Sequence, residues 1–226
     1  MRAALRFGAS VLAVSGALLV ADAAATLLWQ EPLSALVAAR GQAELERELG
    51  PAAAGPTRRP IGRGELARLA RAQTTKMRRG RAVGRIELPT LRRSSVVVEG
   101  TDPDSLRRGP GHYPETPLPG SGRTAGVAGH RTTFGAPFRT VDRLRPGDPI
   151  EVEMPYGRLT YRVERTRIVS PRALWVVKPV GYDRLVLTAC HPLYSAAQRI
   201  VVFARLVKAT APQRVAGTAA EPLPSS

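Results

Sequence analysis

The sequence predicts a mainly β domain, a closed or nearly closed barrel of seven or eight short strands with few helices, behind an N-terminal transmembrane helix and a helical stalk. Three observations carry this. From Val83 onward, β-branched runs alternate with Gly/Pro turn signals at short spacing. "PIEVEMPYGRLTYRVERTRIV" alternates apolar and polar residues on both sides of "PYG", the pattern of a hairpin. Helical patterning of any length is confined to the chain before that point.

The elements follow in order. "MRAALRFGASVLAVSGALLVADAAATLLWQEPL" holds Arg2 and Arg6 ahead of an apolar run from Phe7 to Trp29. That run meets the roughly 20 residues a bilayer-spanning helix needs, and its basic start predicts an N-terminus inside the cell. The readings of residues 1–31 are an uncleaved signal-anchor, a signal peptide cut near "ADAAA", or a soluble buried helix. The anchor is preferred because the apolar run continues past Asp22, itself a costly residue in hydrocarbon. Residues 32–82 read as a basic stalk: a helix over "LSALVAARGQAELERELG", a Pro/Gly linker "PAAAGPTRRP" and a second helix at 64–81. Twelve Lys/Arg between Arg58 and Arg93 face only Glu65 and Glu87. They suit either a clamp on anionic headgroups or wall polymer, or a solvated face.

Residues 83–209 form the predicted barrel. "GRIELP" and "SSVVVEG" make two strands around a turn, and "TDPDSLRRGPG" is a one-turn helix with an Asp or Thr cap and a glycine stop. "GPGHYP" reads as a turn, "RTAGVAGHR" as a closely packed strand, and "FRTVDRLRPGD" as a helical turn. The hairpin, "DRLVLTAC" and "RIVVFARL" complete the set. The tail, 210–226, has no periodicity and reads as disordered.

The net charge of +16, from 34 Lys+Arg against 18 Asp+Glu, speaks to partners and not to fold. Export from the cell makes nucleic acid a poor partner and leaves anionic lipid and wall polymer. The chain has a single cysteine, Cys190, so it forms no internal disulfide; an odd exported thiol is an intermolecular link, a reactive group or a small buried hydrophobe.

Three strand-end residues make a chemical set: His130, Cys190 and Arg199. A thiol is a strong nucleophile only as the thiolate. Imidazole moves protons near neutral pH, and a guanidinium holds a developing oxyanion. Together they suffice for acyl transfer. His191 neighbours Cys190 and so points to the opposite face of the strand; His112 is the second candidate base.

"GRIELPTLRRSSVVVEGTDPDSLRRGPGHYPETPLPG", "GRTAGVAGHRTTFGAPFRTVDRLRPGD" and "RLVLTACHPLYSAAQRIVVFARL", with the N-terminal anchor, resemble the sortases of Gram-positive bacteria, and within them the actinobacterial class E. The resemblance runs from about Gly84 to Val207 and includes a nine-residue step from cysteine to arginine. It implies a sortase-like barrel in which Cys190 is the nucleophile, His130 the catalytic histidine and Arg199 the catalytic arginine. It implies cleavage of an LPXTG- or LAXTG-like sorting signal between Thr and Gly through a thioacyl intermediate. An amine of the cell-wall precursor or of a pilin would then resolve that intermediate. The implied partners are secreted proteins with such signals, and the implied location is the cell membrane, single-pass, with the catalytic domain outside. Tyr113 and Thr188 are implied substrate contacts. Ala189 stands where the family usually carries threonine, so a hydroxyl expected to line the site is missing.

No cofactor is expected. No metal is expected either, since Glu151 and Glu153 are too few oxygen ligands for calcium. An L,D-transpeptidase fits poorly, because 60 residues separate His130 from Cys190. A non-catalytic basic tether between membrane and wall remains the alternative from a different class.

Overall fold

The computed structural model describes residues 2–28, 32–50 and 59–211. Four helices, α1 (Arg2–Leu28), α2 (Pro32–Leu49), α3 (Arg63–Thr74) and α4 (Pro103–Arg108), accompany eight strands. The strands are β1 (Ala82–Leu88), β2 (Arg93–Glu99), β3 (Gly111–His112), β4 (Thr124–Ala128), β5 (Pro149–Met154), β6 (Gly157–Val169), β7 (Arg184–His191) and β8 (Gln198–Thr210). They close into one barrel in the order β1-β2-β3-β4-β7-β8-β6-β5. Closure removes the exposed edges that an open sheet must otherwise protect. The short helix behaves as its sequence implies: the Asp102 carboxylate accepts a hydrogen bond from the Ser105 amide at 3.1 Å, and Gly109 ends the turn.

One strand escapes the sequence pattern. "GPGHYP", expected as a turn, contains β3, which pairs parallel with β2 and antiparallel with β4. A strand of two residues, Gly111 and His112, offers no alternation to read. His112 thereby sits in a sheet, buried, where the pattern places it in a loop.

The barrel interior is filled by inward residues of every long strand, among them Ile86, Val127, Ile150, Leu159, Leu185, Leu187 and Val202. Leu66 and Ala70 of α3 join this core, and Pro60 bridges to Thr210 at the far end of β8.

The segment 32–82, read as a stalk, supplies two helices that lie on the barrel. Helix α2 buries Ser34, Ala38, Gly41 and Leu45, a stripe at helical spacing made mostly of small residues. The Gln42 side chain donates to the carbonyls of Val96 (3.0 Å) and Arg108 (2.8 Å) and accepts from the Val96 amide (2.8 Å). Leu33, Leu36 and Val37, the residues that signal the helix in the sequence, are exposed instead. Part of the basic excess is also internal: Arg85 pairs with Glu46, Arg81 with Glu48 and Arg79 with Asp102.

The expected span at 1–31 is a helix over Arg2–Leu28, with exposed apolar side chains such as Phe7, Leu12 and Leu18. Among the described residues, however, no helix is long and apolar enough to cross a membrane. The side chains of residues 2–5, 9 and 22–28 lie outside that description. Most of the linker and the tail expected at 210–226 likewise fall outside the described residues, which end at Ala211.

Candidate active site

Strand β7 runs between a parallel neighbour, β4, and an antiparallel one, β8. Its pleat divides the side chains. Leu185, Leu187 and Ala189 point into the barrel core, whereas Val186 packs on the outer face with Val176, Val201 and Phe203. Cys190 and Thr188 share the outward parity of Val186. In the ladder with β8, Cys190 lies directly opposite Arg199, and cross-strand partners share a face. In the ladder with β4, Ala128 lies opposite Thr188, and the Gly129 amide donates to the Thr188 carbonyl at 2.9 Å. His130 leaves that ladder two positions past Ala128, as Cys190 stands two past Thr188. Thiol, guanidinium and imidazole therefore come from one end of three adjacent strands.

Each group is locally held. Cys190 is a half-buried free cysteine. Arg199 donates from Nη1 to the carbonyls of Ala196 and Gln198, both at 2.9 Å, so its backbone turn aims the fork. The His130 ring lies 5.2 Å from the Phe134 ring, tilted by 43°. Burial holds its pKa below the usual 6.5, which leaves the imidazole neutral at neutral pH and able to accept a proton.

The loop after His130 folds back on itself. The Phe138 amide donates to the His130 carbonyl at 3.0 Å, and the Phe138 side chain enters the core. A Cβ on residue 129 would stand 2.4 Å from the Phe138 ring, so Gly129 is the residue that allows this. Between them, Phe134, Gly135 and Ala136 take φ values of 50°, 72° and 41°. Non-glycine residues in this left-handed region cost about 1 kcal/mol or more each, so the turn persists only because its surroundings hold it.

A groove of about 590 Å³ runs along the outer face of β7, walled by the loop between β6 and β7 and lined by Tyr113, Thr188, Arg199, Val177 and Leu174 among others. Tyr113 and Thr188, both expected to meet substrate, are joined here, hydroxyl to hydroxyl at 2.7 Å. A side chain on residue 126 would stand 2.6 Å from the Tyr113 ring, so Gly126 lets the tyrosine pack closely against β4. Arg184 ties the wall down, donating from Nη2 to the carbonyls of Val176 and Lys178, both at 2.9 Å.

Two expectations change. Ala189 does not line the groove; it is buried in the barrel core with its neighbours Leu185 and Leu187, because alternation puts it on the face opposite Cys190. A hydroxyl absent there removes nothing from substrate. His112 is no candidate base: its Nδ1 lies 2.8 Å from Glu99 Oε2, and its Nε2 lies 3.3 Å from both Thr116 Oγ1 and the Pro117 carbonyl. Glu151 and Glu153 share Arg158 as a salt-bridge partner.

One residue of the site carries no sequence signal. Arg131 is 3% exposed and ion-paired with Asp142 at 3.0 Å. It donates to the Cys190 carbonyl at 3.4 Å, lies 3.3 Å from His191 Nδ1, and donates to the Arg139 carbonyl at 3.2 Å. It stitches the histidine loop to the nucleophile strand. Only adjacency to His130 marks it among 34 basic residues.

Comparison with known proteins agrees with this geometry. The family pattern described as Sortase domain matches residues 86–207, more than half of the chain. Sortase D of Bacillus subtilis is 31% identical over 132 residues, covering 57% of this chain and 65% of that protein. Sortase SrtE1 of Streptomyces coelicolor is 32% identical over 145 residues, covering 57% of this chain and 41% of that protein. The chain thus spans less than two thirds of the length of these curated relatives. The crystal structure of sortase E1 from Streptomyces coelicolor, with a tripeptide in its active site, superposes with a TM-score of 0.56 at 30% identity, over 57% of this chain and 90% of that one. Sortase E from Streptomyces avermitilis gives 0.54 at 30% identity, over 59% and 92%. With the barrel, the groove and the domain match in hand, this chain belongs to the sortase family.

Proposed function

We propose that the chain is a cysteine transpeptidase that cuts an LPXTG- or LAXTG-like sorting signal and passes the new acyl end to an amine. The observation that supports it most is the register of β7, which sets Cys190 opposite Arg199 and one strand away from the position where His130 leaves β4. In this reading, the Cys190 thiol gives its proton to the neutral His130 imidazole and the sulfur attacks the carbonyl carbon of the signal threonine. Arg199 faces the oxygen that becomes negative. As the Thr–Gly bond breaks, His130 gives a proton to the departing glycine amine. The resulting thioester is then attacked by an amine of a wall precursor or pilin, which returns the sulfur as thiol. Tyr113, braced on Thr188, floors the groove and narrows it for a small second residue in the signal, which favours alanine there.

The same reading places the protein at the cell membrane with the barrel outside. Supporting it are the exposed apolar side chains of α1 (Phe7, Leu12, Leu18, Leu19) and those at the start of α2 (Leu33, Leu36, Val37). Carbonate extraction of cell membranes tests that placement: release of the full chain into the soluble fraction counts against it. The chemistry is tested by incubating the protein with an LAXTG peptide and reading its intact mass. A thioester adduct of the peptide's N-terminal fragment is expected, absent in Cys190→Ala and discharged by hydroxylamine. An adduct that persists in Cys190→Ala would overturn the assignment.

A further inference from the structure

We infer that Ser34, at the start of α2, is a positioning residue for His130, acting through Phe134. The Ser34 hydroxyl oxygen accepts a hydrogen bond from the Phe134 amide at 3.1 Å, across 100 residues of sequence. Ser34 is 7% exposed and Ala38, one turn on, is 4% exposed. Ala38 Cβ would lie 3.6 Å from a Cβ on Gly135. The first turns of α2 thus seat on Phe134–Gly135–Ala136, the three consecutive left-handed residues. The Phe134 amide finds its acceptor outside its own loop, whereas Ala136 and Phe138 bond within it, to Thr133 and His130.

What this seat controls is the imidazole. The Phe134 ring packs against His130 at 5.2 Å, and the ring's direction is set by a backbone conformation that phenylalanine does not adopt unaided. Remove the acceptor and Phe134 returns to an ordinary φ, which swings its ring off the imidazole. Small residues at positions 34 and 38 of α2 are what let the helix approach this loop closely. The segment that looks like a stalk in the sequence is, at its first turn, part of the catalytic apparatus.

This inference rests on the transpeptidase reading, in which His130 moves the proton, and its test separates the two. Full-length wild type, Ser34→Ala, Ser34→Thr and Gln42→Ala are compared by peptide cleavage and by NMR of the histidine ring resonances, with His130 assigned from His130→Gln. Ser34→Ala is expected to lower kcat about tenfold, the order set by losing one well-made hydrogen bond, to leave KM within about twofold, and to shift the His130 resonances. Ser34→Thr keeps the hydroxyl and restores both. Gln42→Ala loosens α2 at Val96 and Arg108, away from the loop, and leaves kcat and the His130 resonances unchanged. Unmoved His130 resonances in Ser34→Ala, or an equal kcat loss in Gln42→Ala, overturns the inference. If wild type cleaves no sorting peptide, the functional reading falls, and the resonance comparison still decides the role of Ser34.

Discussion

Strand β7 joins two polar clusters, and it treats them in opposite ways. Just before its first residue, Asp183 accepts hydrogen bonds from the amides of Gly122 (2.7 Å) and Gly120 (3.4 Å) and from the Tyr161 hydroxyl (2.6 Å). Burial pushes the pKa of that carboxyl up, and burial likewise pushes up the Tyr161 and Tyr156 hydroxyls beside it. At the strand's other end the thiol of Cys190 is free and half-buried, and Arg199, directly opposite it and aimed by its own turn, lines an open groove. A polar group whose bonding capacity is filled by its own protein is a lock. A group held in place but left with capacity toward a cavity is available for chemistry.

The contrast is broken most decisively at Arg199. Arg199→Ala should reduce peptide cleavage by about 10²–10³-fold, as loss of an oxyanion-stabilising donor does, with the thermal midpoint unmoved. Arg199→Lys should recover little, since an ammonium lacks the planar fork. Steady-state cleavage with calorimetry checks both. The opposite signature is expected at the lock. Asp183→Ala strands two amides and a tyrosine hydroxyl and should lower the unfolding free energy by about 3 kcal/mol, read by urea denaturation, while kcat per folded molecule holds.

The two histidines sharpen the same distinction. His112→Ala leaves the buried Glu99 without its partner and should lose about 2 kcal/mol of stability with turnover intact. His130→Ala should abolish turnover and spare the fold. Ala189→Thr, which restores the residue usual in the family, should destabilise by about 1–2 kcal/mol and leave KM unchanged, because its hydroxyl enters the barrel core.

The smallest effects are in pH, and their signs differ between the clusters. The pKa of His130 is lowered by burial, so the fold disfavours its protonated form; that share of stability is present above pH 6.5 and is lost as pH falls through the lowered value. Asp183 has a raised pKa, so the fold favours its neutral form; its penalty is present above the raised value and is relieved on acidification toward 3.8. Urea midpoints measured across the acid range should therefore lose the first slope in His130→Gln and the second in Asp183→Asn.

Much of this was legible in the chain. The β-branched runs and their turns announced every strand except β3, and the Asp102 cap announced α4. The resemblance located Cys190, His130 and Arg199. Less visible were groups whose role is set by what lies across space. Arg131 is one arginine among many until its guanidinium reaches the Cys190 carbonyl. Leu33, Leu36 and Val37 advertise the buried face of α2, yet Ser34, Ala38 and Gly41 form it.

Local pattern by itself determined the β class and the strand order along the chain, because pleat alternation and turn chemistry are properties of a few neighbouring residues; the reactive groups were marked by the family resemblance. Only the tertiary structure decided which face of β7 Ala189 occupies, that His112 is sealed against Glu99, and that α2 rests on the histidine loop. Those outcomes follow from register between segments 13 to 100 residues apart, and register is fixed by the packing of the whole core.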